Sequence, residues 1–136
     1  MNADGVKKLL EEQNAFGRLV GVEIVEVSPG AAVCRMAIRD EHKNPFGTVN
    51  AGAVYTLAET AFGAAANSHG NVALAVNLSI AYLNPAMGGV LTATAEELSA
   101  GGRMATYSVK VTDESGQIVA DVQAMGYRMK KPLGDI

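Results

Sequence analysis

The sequence predicts an α+β domain: an antiparallel sheet of five or six strands wrapped around one central buried helix, with an N-terminal helix on the surface. Three observations lead there. Residues 50–67 are helix-length, and Glu59 is the only residue among them that is charged at neutral pH. A helix that is nonpolar nearly all round is buried on most sides. Residues 72–82 alternate with a period of two, as a strand does, and strand-like runs separated by turn residues then continue to residue 129. Strands that follow one another without intervening helices pair antiparallel, with the helices kept to one face.

Each element has its own local signal. From Asp4 to Phe16, Val6, Leu9, Leu10, Gln13 and Phe16 fall near helical spacing with Lys7, Lys8, Glu11 and Glu12 outside, which predicts an amphipathic surface helix. Val20–Val27 and Ala31–Ile38 flank Ser28-Pro29-Gly30, a turn signal that makes the two runs a hairpin. Asp40–Thr48 is a polar loop. The buried helix follows and closes at Ser68-His69-Gly70, where Gly70 suits a C-terminal cap. In the next strand Val72, Leu74, Val76, Leu78, Ile80 and Tyr82 share one face, expected to pack on the helix. Ala73, Ala75, Asn77, Ser79 and Ala81 share the other, a small-residue face open to a second polypeptide. Turns at Pro85–Gly89, Ala100–Gly102 and Glu114–Gly116 separate strands at about 90–98, 103–113 and 117–129, and the tail from Lys130 is expected to fray.

The chain of 136 residues is read as a single domain, 1–136, without linker or repeat. A net charge of −3 argues against nucleic acid as the main partner, since phosphate contacts need a concentrated basic surface. The N-terminus lacks the apolar run of a secretory signal, and the apolar helix is too short and interrupted to span a bilayer. With one cysteine, Cys34, and therefore no internal disulfide, the expectation is a soluble protein of a reducing cytoplasm. His42, His69 and Cys34 are too dispersed for a metal site, and no phosphate-binding or serine-nucleophile motif occurs, so no metal and no cofactor are expected.

Residues Asn44-Pro45-Phe46-Gly47-Thr48-Val49-Asn50-Ala51-Gly52, followed by Leu57-Ala58-Glu59, resemble the signature of the hotdog-fold acyl-CoA thioesterases of the PaaI-like and 4-hydroxybenzoyl-CoA thioesterase-like type. That signature runs Asn, two residues, Gly, two residues, His-Gly-Gly, four residues, then Leu-Ala-Asp/Glu. The later run Asn77–Ala86, then Gly102-Arg103, then Asp113–Ala120 is also similar, so the likeness covers about residues 15–129. Two departures stand out: Asn50 replaces the histidine and Ala51 the first glycine, while the acidic position carries Glu59. The resemblance implies a hotdog fold, a homodimer or homotetramer, and an acyl-CoA substrate, with coenzyme A part of that substrate. The absent histidine motivates an alternative, a non-catalytic acyl-CoA or acyl-carrier binding module. A hotdog dehydratase is disfavoured, because no histidine lies between His42 and His69.

Thioester hydrolysis needs a polarised carbonyl and an activated nucleophile. The leading N–H groups of a helix lack intrahelical partners and its dipole favours negative charge there, so the start at Asn50, Ala51 and Gly52 is the candidate oxyanion site. Gly52 permits close approach of an acyl oxygen, and Asn50 is also an ordinary N-cap residue. Glu59, on a face shared with Tyr55 and Ala66, lies about 10 Å further along the axis, too far to serve its own helix start. Similar proteins pair their sheets so that the acid of one subunit faces the helix start of the other. That resemblance makes Glu59 a general base or a nucleophile. By the same resemblance Asn44 orients the thioester, Tyr55, Phe46 and Phe62 line the acyl groove, and Thr60 is a weaker candidate for positioning water. Arg103, beside Gly101-Gly102, is the candidate for the phosphates of coenzyme A.

Overall fold

The computed structural model describes residues 1–136. One sheet of six strands, all neighbours antiparallel, has the order β1-β2-β4-β5-β6-β3. Its strands are β1 (Val22–Ser28), β2 (Ala31–Ala37), β3 (Asn71–Tyr82), β4 (Val90–Ala100), β5 (Met104–Thr112) and β6 (Ile118–Pro132). The apolar helix α3 (Ala51–Asn67) lies across the concave face and touches every strand. Val54, Leu57, Ala58, Ala61, Phe62 and Ala65 are buried between helix and sheet, so the fold is the predicted one. Alanines on this surface let the helix lie close to the sheet, while Phe62 meets Tyr107 edge-on with ring centroids 5.4 Å apart.

The N-terminal segment is two helices, α1 (Ala3–Gln13) and α2 (Ala15–Val20). Asn14 makes the break by ending one helix and starting the next. Its N–H donates to the Leu10 carbonyl at 2.9 Å and its Oδ1 accepts from Gly17 N–H at 3.1 Å. Gly21 (φ +99°) then closes α2 in the left-handed region that favours glycine, so the first strand begins at Val22 and not at Val20.

The alternation expected along β3 holds only in part. Val72, Ala73, Leu78 and Ile80 pack on the core, whereas Leu74 and Val76 are each 55% exposed. The register is irregular between Asn71 and Ala73 and again between Ala75 and Asn77, so no single parity faces inward along the whole strand. β3 is moreover an edge strand. The expected frayed tail is also corrected. β6 continues to Pro132, and Leu133 is buried with its N–H donating to the Gly70 carbonyl at 2.7 Å.

Candidate active site

The start of α3 is held by its own cap. Asn50 Oδ1 accepts from Gly52 N–H at 2.7 Å, and the Asn50 carbonyl accepts from Ala53 and Val54 N–H. That arrangement leaves the Ala51 N–H as the first amide of the helix without a protein acceptor, and makes Asn50 the group a ligand oxygen must displace to reach the Gly52 N–H. Ala51 and Gly52 are both exposed. A cleft of about 270 Å³ opens beside them, lined by Asn44, Ala51, Val54, Tyr82 and Pro85 among others.

Tyr82 was not singled out by sequence, because its alternation read as packing. Its hydroxyl donates to the Ala51 carbonyl at 2.9 Å. Burial, and secondarily the nearby Tyr55, raise its pKa above the usual tyrosine value, so it stays a donor at neutral pH. Asn44 borders the same cleft with its carboxamide engaged in its own loop. Nδ2 donates to Thr48 Oγ1 at 2.7 Å, and Oδ1 accepts from the N–H groups of Phe46 and Thr48. Phe46 is 88% exposed.

His42 is a second residue whose part was not legible in the sequence. It is buried between the loop and α2. Nδ1 accepts from Arg39 N–H at 2.9 Å, so Nε2 carries the hydrogen and donates to the Val20 carbonyl. The His42 carbonyl in turn accepts from Asn50 N–H at 2.7 Å, linking the N-terminal helices, the loop and the cap of α3. Replacing His42 with alanine leaves the Arg39 N–H without its acceptor and takes one of two donors from the Val20 carbonyl, which the Arg39 guanidinium also bonds. The expected cost is about 1–3 kcal/mol in urea unfolding, measured as a lower midpoint at unchanged slope.

Glu59 sits in a separate cleft of about 250 Å³ between α3 and the N-terminal helices. Residues 59, 60, 63, 64 and 67 of α3 form one wall and Leu10, Gln13 and Asn14 the other. The Glu59 carboxylate has no hydrogen bond or ion pair within the chain. Half-buried as it is, desolvation raises its pKa above the ordinary carboxylate value. Its polar neighbours have partners of their own. Thr60 Oγ1 donates to the Thr56 carbonyl, and the Asn67 carboxamide bonds to Gly63 and to both backbone groups of Ala73. Within one chain the carboxylate and the open amide therefore occupy different clefts, as their spacing along the helix requires.

Two candidates lie elsewhere. Phe62 is 2% exposed and packed on Tyr107, which takes it out of any groove and into the core. Arg103 is exposed at the β4–β5 turn, its guanidinium 6.0 Å from the centre of the Tyr127 ring. The Arg103 carbonyl accepts from Arg128 N–H, and Arg128 pairs with Ala73, which is bonded to Asn67 at the end of α3. Arg103 is thus at the far end of the helix from Gly52. Tyr55 is 37% exposed near the helix start. No group of three or more His, Cys, Asp or Glu is placed to hold a metal ion, and no helix is long and apolar enough to cross a membrane.

One antiparallel sheet wrapped around one buried helix is the hotdog scaffold, here with an open amide at the helix start and an unpaired carboxylate two turns on. The thioesterase superfamily model matches residues 46–120, more than half of the chain, and the chain belongs to that family. It is similar to the acyl-coenzyme A thioesterase PaaI of Escherichia coli, with 29% identity over 87% of this chain and 85% of the relative. It is also similar to a 1,4-dihydroxy-2-naphthoyl-CoA hydrolase of Listeria monocytogenes, with 30% identity over 74% of this chain and 84% of the relative. The solved structure of the Escherichia coli PaaI protein, from a phenylacetic acid degradation operon, superposes with a TM-score of 0.92 at 27% identity, covering 96% of this chain and 95% of that one. The enzyme class that follows is thioester hydrolysis.

Proposed function

We propose that the protein is a cytoplasmic, cofactor-independent acyl-CoA thioesterase that works as a homodimer or homotetramer, with Glu59 as general base. The observation that carries this reading is the Glu59 carboxylate, half-buried and without a partner in its own chain. A structural carboxylate at that depth is normally paired or hydrogen-bonded. An unpaired one with a raised pKa, facing a cleft, is poised to take a proton.

In this reading the Glu59 carboxylate removes a proton from water as the water oxygen attacks the thioester carbon. The negative charge gathers on the former carbonyl oxygen, which accepts from the Ala51 N–H of the partner subunit, and from the partner's Gly52 N–H once the partner's Asn50 turns aside. The C–S bond then breaks, and protonated Glu59 returns the proton to the departing sulfur. Free acid and coenzyme A result, with the carboxyl group regenerated as carboxylate. The scheme requires two paired subunits, because the two functions occupy separate clefts within one chain. The relatives' names supply the acyl-CoA substrate.

Release of coenzyme A thiol from a panel of acyl-CoAs tests the reading. Turnover of at least one member is the expected result. A folded wild-type protein that hydrolyses none of acetyl-, hexanoyl-, benzoyl- or palmitoyl-CoA would sink it.

A further inference from the structure

The peptide unit between Ala51 and Gly52 is gripped on both of its polar atoms. Asn50 Oδ1 accepts from its N–H at 2.7 Å, and the Tyr82 hydroxyl donates to its carbonyl oxygen at 2.9 Å. The first contact is an ordinary N-cap. The second is demanded by neither partner. A helical carbonyl accepts from the N–H four residues on, here that of Tyr55, so the Ala51 oxygen is satisfied without Tyr82 and the hydroxyl takes its spare lone pair. Tyr82 is 48% exposed, within reach of water for its hydroxyl. Satisfaction of buried polar groups therefore does not account for this bond.

Tyr82 is also firmly seated. It ends β3 opposite Ala120 of β6, and the N–H groups of Leu83 and Asn84 both donate to the Val119 carbonyl just beyond. Asn84 Nδ2 adds a bond to the Ile118 carbonyl at 2.8 Å. Side-chain hydrogen bonds tie α3 to the sheet at two residues, Ala51 and Asn67, and both bonds reach β3. Asn67 anchors the end of the helix. Tyr82 anchors its start, on the wall of the cleft beside the Ala51 and Gly52 amides.

A hydroxyl donated to a carbonyl draws electron density out of the peptide group and makes its N–H a stronger donor, because linked hydrogen bonds polarise one another. The gain grows with the charge on the group that accepts from that N–H. The neutral Asn50 carboxamide profits little, and a full negative charge profits most. Tyr82 thus favours an anion at Gly52 over the cap that holds the same N–H in its absence. An interaction stronger for the developing charge than for the ground state raises kcat.

Resting on the thioesterase reading, we infer that Tyr82 is a positioning residue of the reaction: through the Ala51 carbonyl it orients and polarises the Gly52 N–H that receives the oxyanion. Tyr82 and the amide it grips belong to one subunit. It acts through the peptide group and moves no proton.

The test is Tyr82→Phe, which removes the hydroxyl and keeps the ring. Steady-state rates on acetyl-, hexanoyl- and benzoyl-CoA are compared with wild type, together with melting temperature and the backbone amide nitrogen shifts measured by NMR. In the variant kcat is expected to fall about three- to tenfold, short of the roughly 10²–10³ that a direct oxyanion donor is worth. KM changes by less than about twofold. The factor is the same for every acyl group that turns over, since the oxyanion is common to all of them. The variant melts within about 3 °C of wild type. The Gly52 nitrogen resonance moves upfield as its peptide loses the polarising bond, while that of Gly63 in the same helix holds still. An unchanged kcat, a loss confined to KM, a loss that differs between acyl groups, or a stationary Gly52 resonance overturns the inference while the thioesterase reading stands. A much lower melting temperature overturns it too, by making the bond a structural one. Absence of any wild-type turnover overturns both.

Discussion

Glu59→Gln abolishes thioester hydrolysis and leaves the protein at least as stable as before. The carboxamide keeps the size of the side chain and cannot accept the proton of attacking water, so kcat falls by about 10²–10⁴, the usual worth of a positioned base. Stability follows from linkage. Burial raises the folded-state pKa of Glu59 above its unfolded value, so the folded state binds its proton more readily than the unfolded chain. Below the ordinary carboxylate range both states are protonated and no charge is buried. As pH rises through the folded pKa, the native protein must hold a desolvated carboxylate, and that part of its stability is lost. The variant should therefore gain on wild type as pH rises from acid to neutral in parallel thermal melts. Wild-type kcat should rise over the same interval, as the base loses its proton. A Glu59→Gln protein with full activity would remove this residue from the chemistry, and a variant that melts earlier at neutral pH would mean an ion partner supplied from another subunit.

Phe62→Ala has the largest effect on the fold. Its ring is fully enclosed between α3 and the sheet, edge-on to Tyr107, and its tip stands 3.2 Å from where a Cβ on Gly126 would lie. Truncation removes the transfer free energy of the ring and leaves a cavity that a six-stranded sheet closes poorly, at about 3–5 kcal/mol. Chemical denaturation should show the midpoint falling at nearly constant slope. A side chain lining a substrate groove behaves differently, raising KM at little cost in stability. That outcome would return Phe62 to the groove where the family resemblance put it.

The contrast between these two residues shows what the sequence carries. An apolar helix interrupted by one carboxylate is legible because a 17-residue segment with a single charged group has few destinations in a globular fold. Strand positions and turns were legible because period and punctuation are local, but strand order was not: β3 skips its sequence neighbour β4 and pairs with β6 at the sheet edge. Nor was orientation. A helix nonpolar on nearly every side gives no periodic signal for which stripe meets the sheet, so Phe62 read as available when it was enclosed. The parity change at Val76 was invisible, because a bulge adds a residue without altering composition. Asn14 looked like one more polar residue on a helix face, and only its two backbone bonds reveal a boundary. His42 acts through the carbonyl of Val20, on an element far from it in sequence, and no spacing rule reaches that far.

The attachment of α3 to all six strands, set against that of α1 chiefly to β1 and α3, has a consequence for how the molecule breathes. Amide hydrogens in α3 should exchange with solvent only through global opening, whereas those of α1 should exchange through cheaper local detachment. Mild warming would then loosen the wall of the Glu59 cleft before disturbing the carboxylate itself. The rigid wall of that cleft is the one that carries the carboxylate, and the yielding wall is the one that does not.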